Sequence, residues 1–225
     1  MPITRFPDPR KGSYDGIIAV GGDLHPESLL LAYRSGIFPW PMDGLPLPWA
    51  CPDERAILRF SDLHIPRSLA QSRRRSTFHF TIDRAFPDVI NACAAAKRPD
   101  QPGTWITREM VNAYIAFHRL GYAHSVEAWD GEELVGGLYG VAVDGVFAGE
   151  SMFHRRTNAS KLALLHLIDH LRDRGVEWID TQTMTPHFEA LGAVLISRDR
   201  FLDLLAETRS KGLDPFGGNF GISGA

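Results

Sequence analysis

Between residues 107 and 200 the spacing of apolar side chains changes period repeatedly, and each change marks an element. "TREMVNAYIAFHRLG" keeps helical intervals, with Thr107 as N-cap and Gly121 as the stop, which predicts a helix at about 107–120. The period then drops to two. "AHSVEAWD", "LVGGLYGVAV" and "VFAGESMF", joined by "GEEL" and "DG", read as an antiparallel meander, Asp-Gly being a strong hairpin signal. Leu162, Leu164, Leu165, Leu167, Ile168 and Leu171 lie on a broad apolar face of a helix at about 158–173. A strand "VEWIDTQ" (176–182), a helix "HFEALGA" (187–193), a strand "VLIS" and a final helix capped by Ser197 complete the chain. Upstream, helices are expected at about 26–35, 65–75 and 83–96, the first opened by Pro26 and Glu27 and closed by Gly36. Between the first two, "GIFPWPMDGLPLPWACPDERAIL" is too rich in proline for a long helix, which puts Phe38, Trp40 and Trp49 on irregular backbone. A composition change near 60 divides a small N-terminal unit (1–60) from a larger one (61–225). The class is α+β, with a mixed, mainly antiparallel sheet flanked by helices.

With 225 residues, 44% of them hydrophobic, the chain is long enough for a sizeable core. It has no apolar run of about 18 residues, and its N-terminus is polar and Pro-rich, so a cytoplasmic protein is expected. Cys51 and Cys93 are too few and too isolated for a disulfide framework or a zinc site and read as free thiols. His64, His124, His154 and His187 show no metal-ligand spacing. A formal net charge of −3 argues against nonspecific coating of nucleic acid, yet Arg67, Arg73, Arg74 and Arg75 occur with no carboxylate between them. That run reads equally well as a local phosphate contact or as a solvated helix end.

Meander, helix, strand, helix, strand resembles the GNAT acyltransferase fold over roughly 105–200. GNAT enzymes that use acetyl-CoA grip its diphosphate on a glycine-rich turn opening the central helix, where free N–H groups and the dipole meet the anion. Here that turn is "HRRTNASKLA", with Arg155, Arg156, Thr157 and Asn158 where the backbone would have to approach. The activated acyl group is therefore expected on another carrier, with an acyl-CoA N-acyltransferase as the alternative.

Several stretches resemble the leucyl/phenylalanyl-tRNA–protein transferases: "FPDP" (6–9), "AVGGDLHPESLLLAYRSGIFPW" (19–40), "LHIPRSL" (63–69), "GTWIT" (103–107), "GYAHSVEAWDGEELVGGLYGV" (121–141), "GESMFHRRTNASK" (149–161), "WIDTQ" (178–182) and "HFEALGA" (187–193). The resemblance implies a small N-terminal domain before a GNAT-like catalytic one, a cytoplasmic monomer, and no metal or nucleotide cofactor. It implies an enzyme that moves Leu or Phe, and Met less well, from aminoacyl-tRNA to proteins beginning with Arg or Lys, marking them for degradation. Two departures stand out. Trp49, Ala50, Cys51 and Pro52 occupy a usual Trp-Trp-Ser-Pro, and Thr181 occupies a usual cysteine between Asp180 and Gln182.

The implied chemistry is aminolysis of an ester, for which positioning and one proton transfer suffice. The resemblance makes Asp180 and Gln182 the catalytic pair on the attacking amine; as bare sequence, Asp180 reads equally as a turn cap. Glu150, a carboxylate on a half-buried strand, needs a partner, and the donor's α-ammonium is a suitable one. Phe147, Met152 and Ile179 would form the apolar slot for the Leu or Phe side chain, Met adapting to both shapes. Trp40 and Trp105, helped by Tyr33, would stack on the terminal adenine. Arg67, Arg73, Arg74 and Arg75 would then meet acceptor-stem phosphates. A noncatalytic module that binds aminoacyl-tRNA or a degron is the reading from a different class.

Overall fold

The computed structural model describes residues 1–12, 15–42, 44–96 and 104–217. A seven-stranded sheet organises the molecule. In chain order its strands are β4 (Glu54–Arg59), β5 (His79–Ile82), β6 (Ala123–Asp130), β7 (Glu133–Val143), β8 (Val146–His154), β9 (Trp178–Gln182) and β10 (Val194–Ser197). Their spatial order is β10-β4-β9-β8-β7-β6-β5, antiparallel at every junction except β8 with β9. Helix α5 (Ala159–Arg172) makes the crossover between those two parallel strands. The α+β class and the mixed, mainly antiparallel sheet are thus as expected.

Strand alternation sorts side chains onto two cores. Leu138, Phe147 and Ile179 point to the face covered by α5, with α2 (Arg67–Arg75) behind it. Tyr139, Ala148 and Trp178 point to the opposite face. That face is covered by α1 (Pro26–Arg34), α3 (Phe86–Ala95), α4 (Arg108–Arg119) and α7 (Arg198–Arg209). The predicted caps are present: Thr107 accepts from Met110 N at 3.2 Å and Ser197 from Arg200 N at 3.3 Å. Close packing of α5 onto the sheet depends on Gly136, where a Cβ would stand 2.5 Å from Ala159 Cβ. A short helix, α6 (Pro186–Ala190), connects β9 to β10.

The proline-rich N-terminal stretch departs from expectation. Instead of irregular backbone it forms a three-stranded antiparallel sheet, ordered β1 (Ile17–Val20), β3 (Pro48–Ala50), β2 (Phe38–Pro39). Phe38 and Trp49 lie on its strands and are buried, while Trp40 stands exposed just past β2. Prolines at the ends of such short strands cost few ladder bonds, so their presence did not exclude pairing. β5, at the sheet edge, was likewise unforeseen, and β4 already belongs to the large sheet ahead of residue 60.

Candidate active site

The site lies where the two parallel strands part. β8 and β9 pair at Phe147↔Ile179 and Ala148↔Asp180 and then diverge. Both strands are bulged at the fork. Gly140 faces Gly149 and Tyr139 faces Ser151, so Glu150 is an extra residue in β8. Ala56 faces Gln182 and Ile57 faces Asp180, so Thr181 is an extra residue in β9. A bulge bends its strand and re-aims the residues beside it. Gly140 permits the β8 bulge, since a Cβ there would stand 2.4 Å from Ala148 O and from Phe147 Cζ.

Glu150 reaches across the fork. Its Oε1 accepts from Gln182 Nε2 and from Tyr33 Oη, both at 2.7 Å, and its Oε2 accepts from Tyr114 Oη at 3.3 Å. The two phenols are 2.5 Å apart. At 8% exposure, burial pushes the Glu150 carboxyl up to about 7, against the opposing pull of the Tyr33 and Gln182 hydrogen bonds. Burial, and then the Glu150 charge, raise both tyrosines well above the ordinary phenol value, so both remain neutral donors. Tyr33, expected to help grip an adenine, is instead buried behind Glu150.

Asp180 is 2% exposed and Arg55 1% exposed, and the two pair bidentately, Nε to Oδ1 at 2.9 Å and Nη2 to Oδ2 at 2.7 Å. The guanidinium is sandwiched between Phe38 and Phe201, 4.5 and 4.4 Å from their centroids. Asp180 Oδ1 also accepts from Gln182 N at 2.9 Å. That bond closes a turn in which Gln182 has φ +62°, a left-handed conformation unusual for Gln. With one Nε2 hydrogen given to Glu150, the Gln182 amide keeps its carbonyl Oε1 as an acceptor and a second N–H as a donor.

A pocket of about 380 Å³ opens at the fork. Glu150, Phe147, Met152, Ile179, Trp40, Trp105 and Gln182 all line it, so seven residues singled out from sequence converge there. Asp180 and Tyr33 sit behind its wall. Phe38, Tyr139, Thr181, His187 and Phe188 also line it and were not foreseen. Gly103 of the "GTWIT" stretch lies outside the described residues.

Comparison with known proteins gives the family of the chain. Residues 57–206 match the family described as leucyl/phenylalanyl-tRNA protein transferase, and residues 22–53 match the N-terminal domain of the same family. The leucyl/phenylalanyl-tRNA–protein transferase of Syntrophobacter fumaroxidans is 53% identical over 213 residues, covering 92% of this chain and 91% of the relative. That of Shewanella sp. (strain W3-18-1) is 50% identical over 212 residues, covering 93% and 89%. The chain belongs to the leucyl/phenylalanyl-tRNA–protein transferase family.

In this transferase the turn into α5 is already engaged. The N–H groups of Arg155 and Arg156 donate to Val135 O at 2.7 and 3.2 Å, and Asn158 Nδ2 donates to Ser72 Oγ at 2.9 Å. Those two amides are not available to a diphosphate, in keeping with the missing glycines. Thr181, where a cysteine is usual, donates its hydroxyl to Ala56 O at 3.0 Å. Cys51 and Cys93 are both buried, and burial pushes the Cys51 thiol up, away from the reactive thiolate. Arg67, Arg73, Arg74 and Arg75 project from α2 on the surface, and Arg73 pairs with Asp169 of α5. No helix among the described residues is long and apolar enough to cross a membrane.

Proposed function

We propose that this transferase moves Leu or Phe, and Met less well, from aminoacyl-tRNA to the α-amine of proteins beginning with Arg or Lys, creating a degradation signal in the cytoplasm. We assign a small N-terminal unit to residues 1–60, which lends β4 to the large sheet, and the catalytic unit to 61–225, the whole acting as a monomer. The observation that carries the reading is the Glu150–Gln182 contact at the edge of an apolar pocket. One carboxylate, one amide and an apolar slot are what an aminoacyl ester presents needs for: an ammonium, an ester and a side chain.

In this reading Phe147, Met152 and Ile179 take the donor side chain and Trp40 and Trp105 stack on the terminal adenine. Glu150 receives the donor's ammonium through Oε2, the oxygen with only one long contact. Gln182 is the group that meets the incoming amine, its Oε1 accepting an N–H and aiming the nitrogen lone pair at the ester carbonyl. Asp180, sealed by Arg55, acts through Gln182 by fixing its backbone. The new C–N bond forms, the ester C–O bond breaks, and the amine's proton ends on the departing 3′ oxygen of the ribose. Arg67, Arg74 and Arg75, with Arg73 shared with Asp169, meet the acceptor stem.

Incubation of Leu-, Phe- and Met-charged tRNA with peptides beginning with Arg, Lys or Ala tests this. Mass spectrometry should find extension of the Arg and Lys peptides alone, with Met the weakest donor. Extension from acyl-CoA in place of charged tRNA, or binding of both ligands without product, would overturn it.

A further inference from the structure

Beyond α7 the chain returns beneath the large sheet as a short strap. Leu213 packs on the turn between β7 and β8, where a Cβ at Gly145 would stand 2.9 Å from the Leu213 Cβ. Pro215 is buried, and its carbonyl accepts from His170 Nε2 on α5 at 2.9 Å. Phe216 then enters a nest of three rings. It stacks on His124 of β6 with centroids 3.9 Å apart and planes within 8°, and tilts against His170 at 5.1 Å and Phe147 at 5.9 Å. His124 is itself held by Asp83 Oδ2 at 2.7 Å and Gly121 O at 3.1 Å.

Phe147 is the one member of that nest that also lines the donor pocket. Its ring cannot retreat toward β7, because Gly140 is packed against it closely enough that a Cβ would stand 2.4 Å from Cζ. The side facing the strap is where it could relax, and Phe216 fills that side. We propose that Phe216 is a specificity-determining residue of the donor pocket, setting its depth through Phe147. This rests on the reading of Phe147 as a wall of the donor slot. The strap lies outside the matched stretch 57–206, so the assignment comes from the packing in this chain alone. Interiors are close-packed, so removing a ring behind a wall residue lets the wall move. Phe216→Ala should therefore deepen the slot and favour the larger Phe donor, whereas Phe216→Trp should make it shallower and favour Leu.

Equal amounts of Leu- and Phe-charged tRNA competing in one reaction for an Arg-starting peptide provide the test, read as the mass ratio of the two products. Loss of folded enzyme cancels in that ratio. Phe216→Ala should raise Phe over Leu about tenfold, the low end of what one methylene achieves in an apolar pocket, and Phe216→Trp should lower it. Should Phe216→Ala not fold, Phe216→Leu shifts the ratio the same way. Ratios unchanged by every Phe216 variant while Phe147→Leu moves them would overturn the proposal and leave the pocket reading standing. Ratios unchanged by Phe147→Leu as well would remove the slot itself.

Discussion

Gln182 Nε2 and Glu150 Oε1 are 2.7 Å apart across the fork where β8 and β9 separate. Each residue stands beside a bulge or within one, and the contact holds the Gln182 amide at the pocket wall by one of its two N–H groups. Glu150→Gln keeps the shape and removes the charge. Losing a charge-assisted hydrogen bond to the donor's ammonium is worth about 1.5–3 kcal/mol, roughly tenfold or more in kcat/KM for charged tRNA. Steady-state kinetics with Leu-tRNA check this; unchanged values would take Glu150 out of the donor site.

The same carboxyl sets a pH signature on stability. Burial raises it from 4.5 to about 7, so the folded state holds the proton more tightly than the unfolded chain. Between those two values stability falls as pH rises, by about 3 kcal/mol at most, and levels off above the folded pKa. Melting temperatures of wild type and Glu150→Gln measured across that window should converge at low pH. They should diverge toward pH 8 in favour of the variant.

Arg55 and Asp180 form the buried ion pair that holds Gln182 in its left-handed turn. Removing one partner leaves an uncompensated charge, so Arg55→Ala should cost about 3–5 kcal/mol in urea unfolding. Arg55→Lys should lose less stability, yet its point-like ammonium lacks the planar fork that matches both Asp180 oxygens, so kcat should still fall. Retained kcat in Arg55→Lys would separate the pair from the function of Gln182.

The arginine run separates the carrier from the chemistry. Arg73, Arg74 and Arg75 replaced by Ala should raise the KM for aminoacyl-tRNA and flatten its salt dependence. A minimal aminoacyl-adenosine, which has no stem, should react as before. Arg74→Ala should matter more than Arg73→Ala, since Asp169 already engages Arg73. Equal losses with both donors would make the run a structural feature of α2.

Much of the pocket was legible because many of its lining residues lie in two short sequence stretches on neighbouring strands. Glu150, Phe147 and Met152 come from one, Ile179 and Gln182 from the other. Strict alternation would set Glu150 and Met152 opposite Phe147, and Gln182 opposite Ile179, and the two bulges bring all five to one pocket. What escaped the sequence depends on contacts between distant positions. Arg55 reaches Asp180 over a separation of 125 residues, and Tyr114 reaches Tyr33 over 81. Tyr33, expected to help at the adenine, lies buried against Glu150 instead, because helical periodicity says which face is buried and nothing about what lies beneath. The bulges at Glu150 and Thr181 need strand register, which no single strand's pattern contains. The short N-terminal strands were masked by proline, whose cost falls away at strand ends.

Direct attack without an acyl-enzyme is expected, since the Thr181 hydroxyl is bonded to a backbone carbonyl and Cys51 is buried with a raised pKa. Mass measurement of the enzyme quenched with Leu-tRNA and no peptide should find the unmodified chain. A leucyl adduct on Thr181, Ser151 or Cys51 would replace this scheme with a two-step transfer.

The account turns on Gln182 as the residue that meets the amine, and the single-turnover rate of Gln182→Ala measures this most directly. With enzyme saturated by Phe-tRNA and mixed with an Arg-starting peptide, the rate of peptide extension should fall by about 10²-fold, the scale of lost positioning, while binding of Phe-tRNA stays close to wild type. A variant that binds donor normally and extends the peptide at the wild-type rate would contradict it.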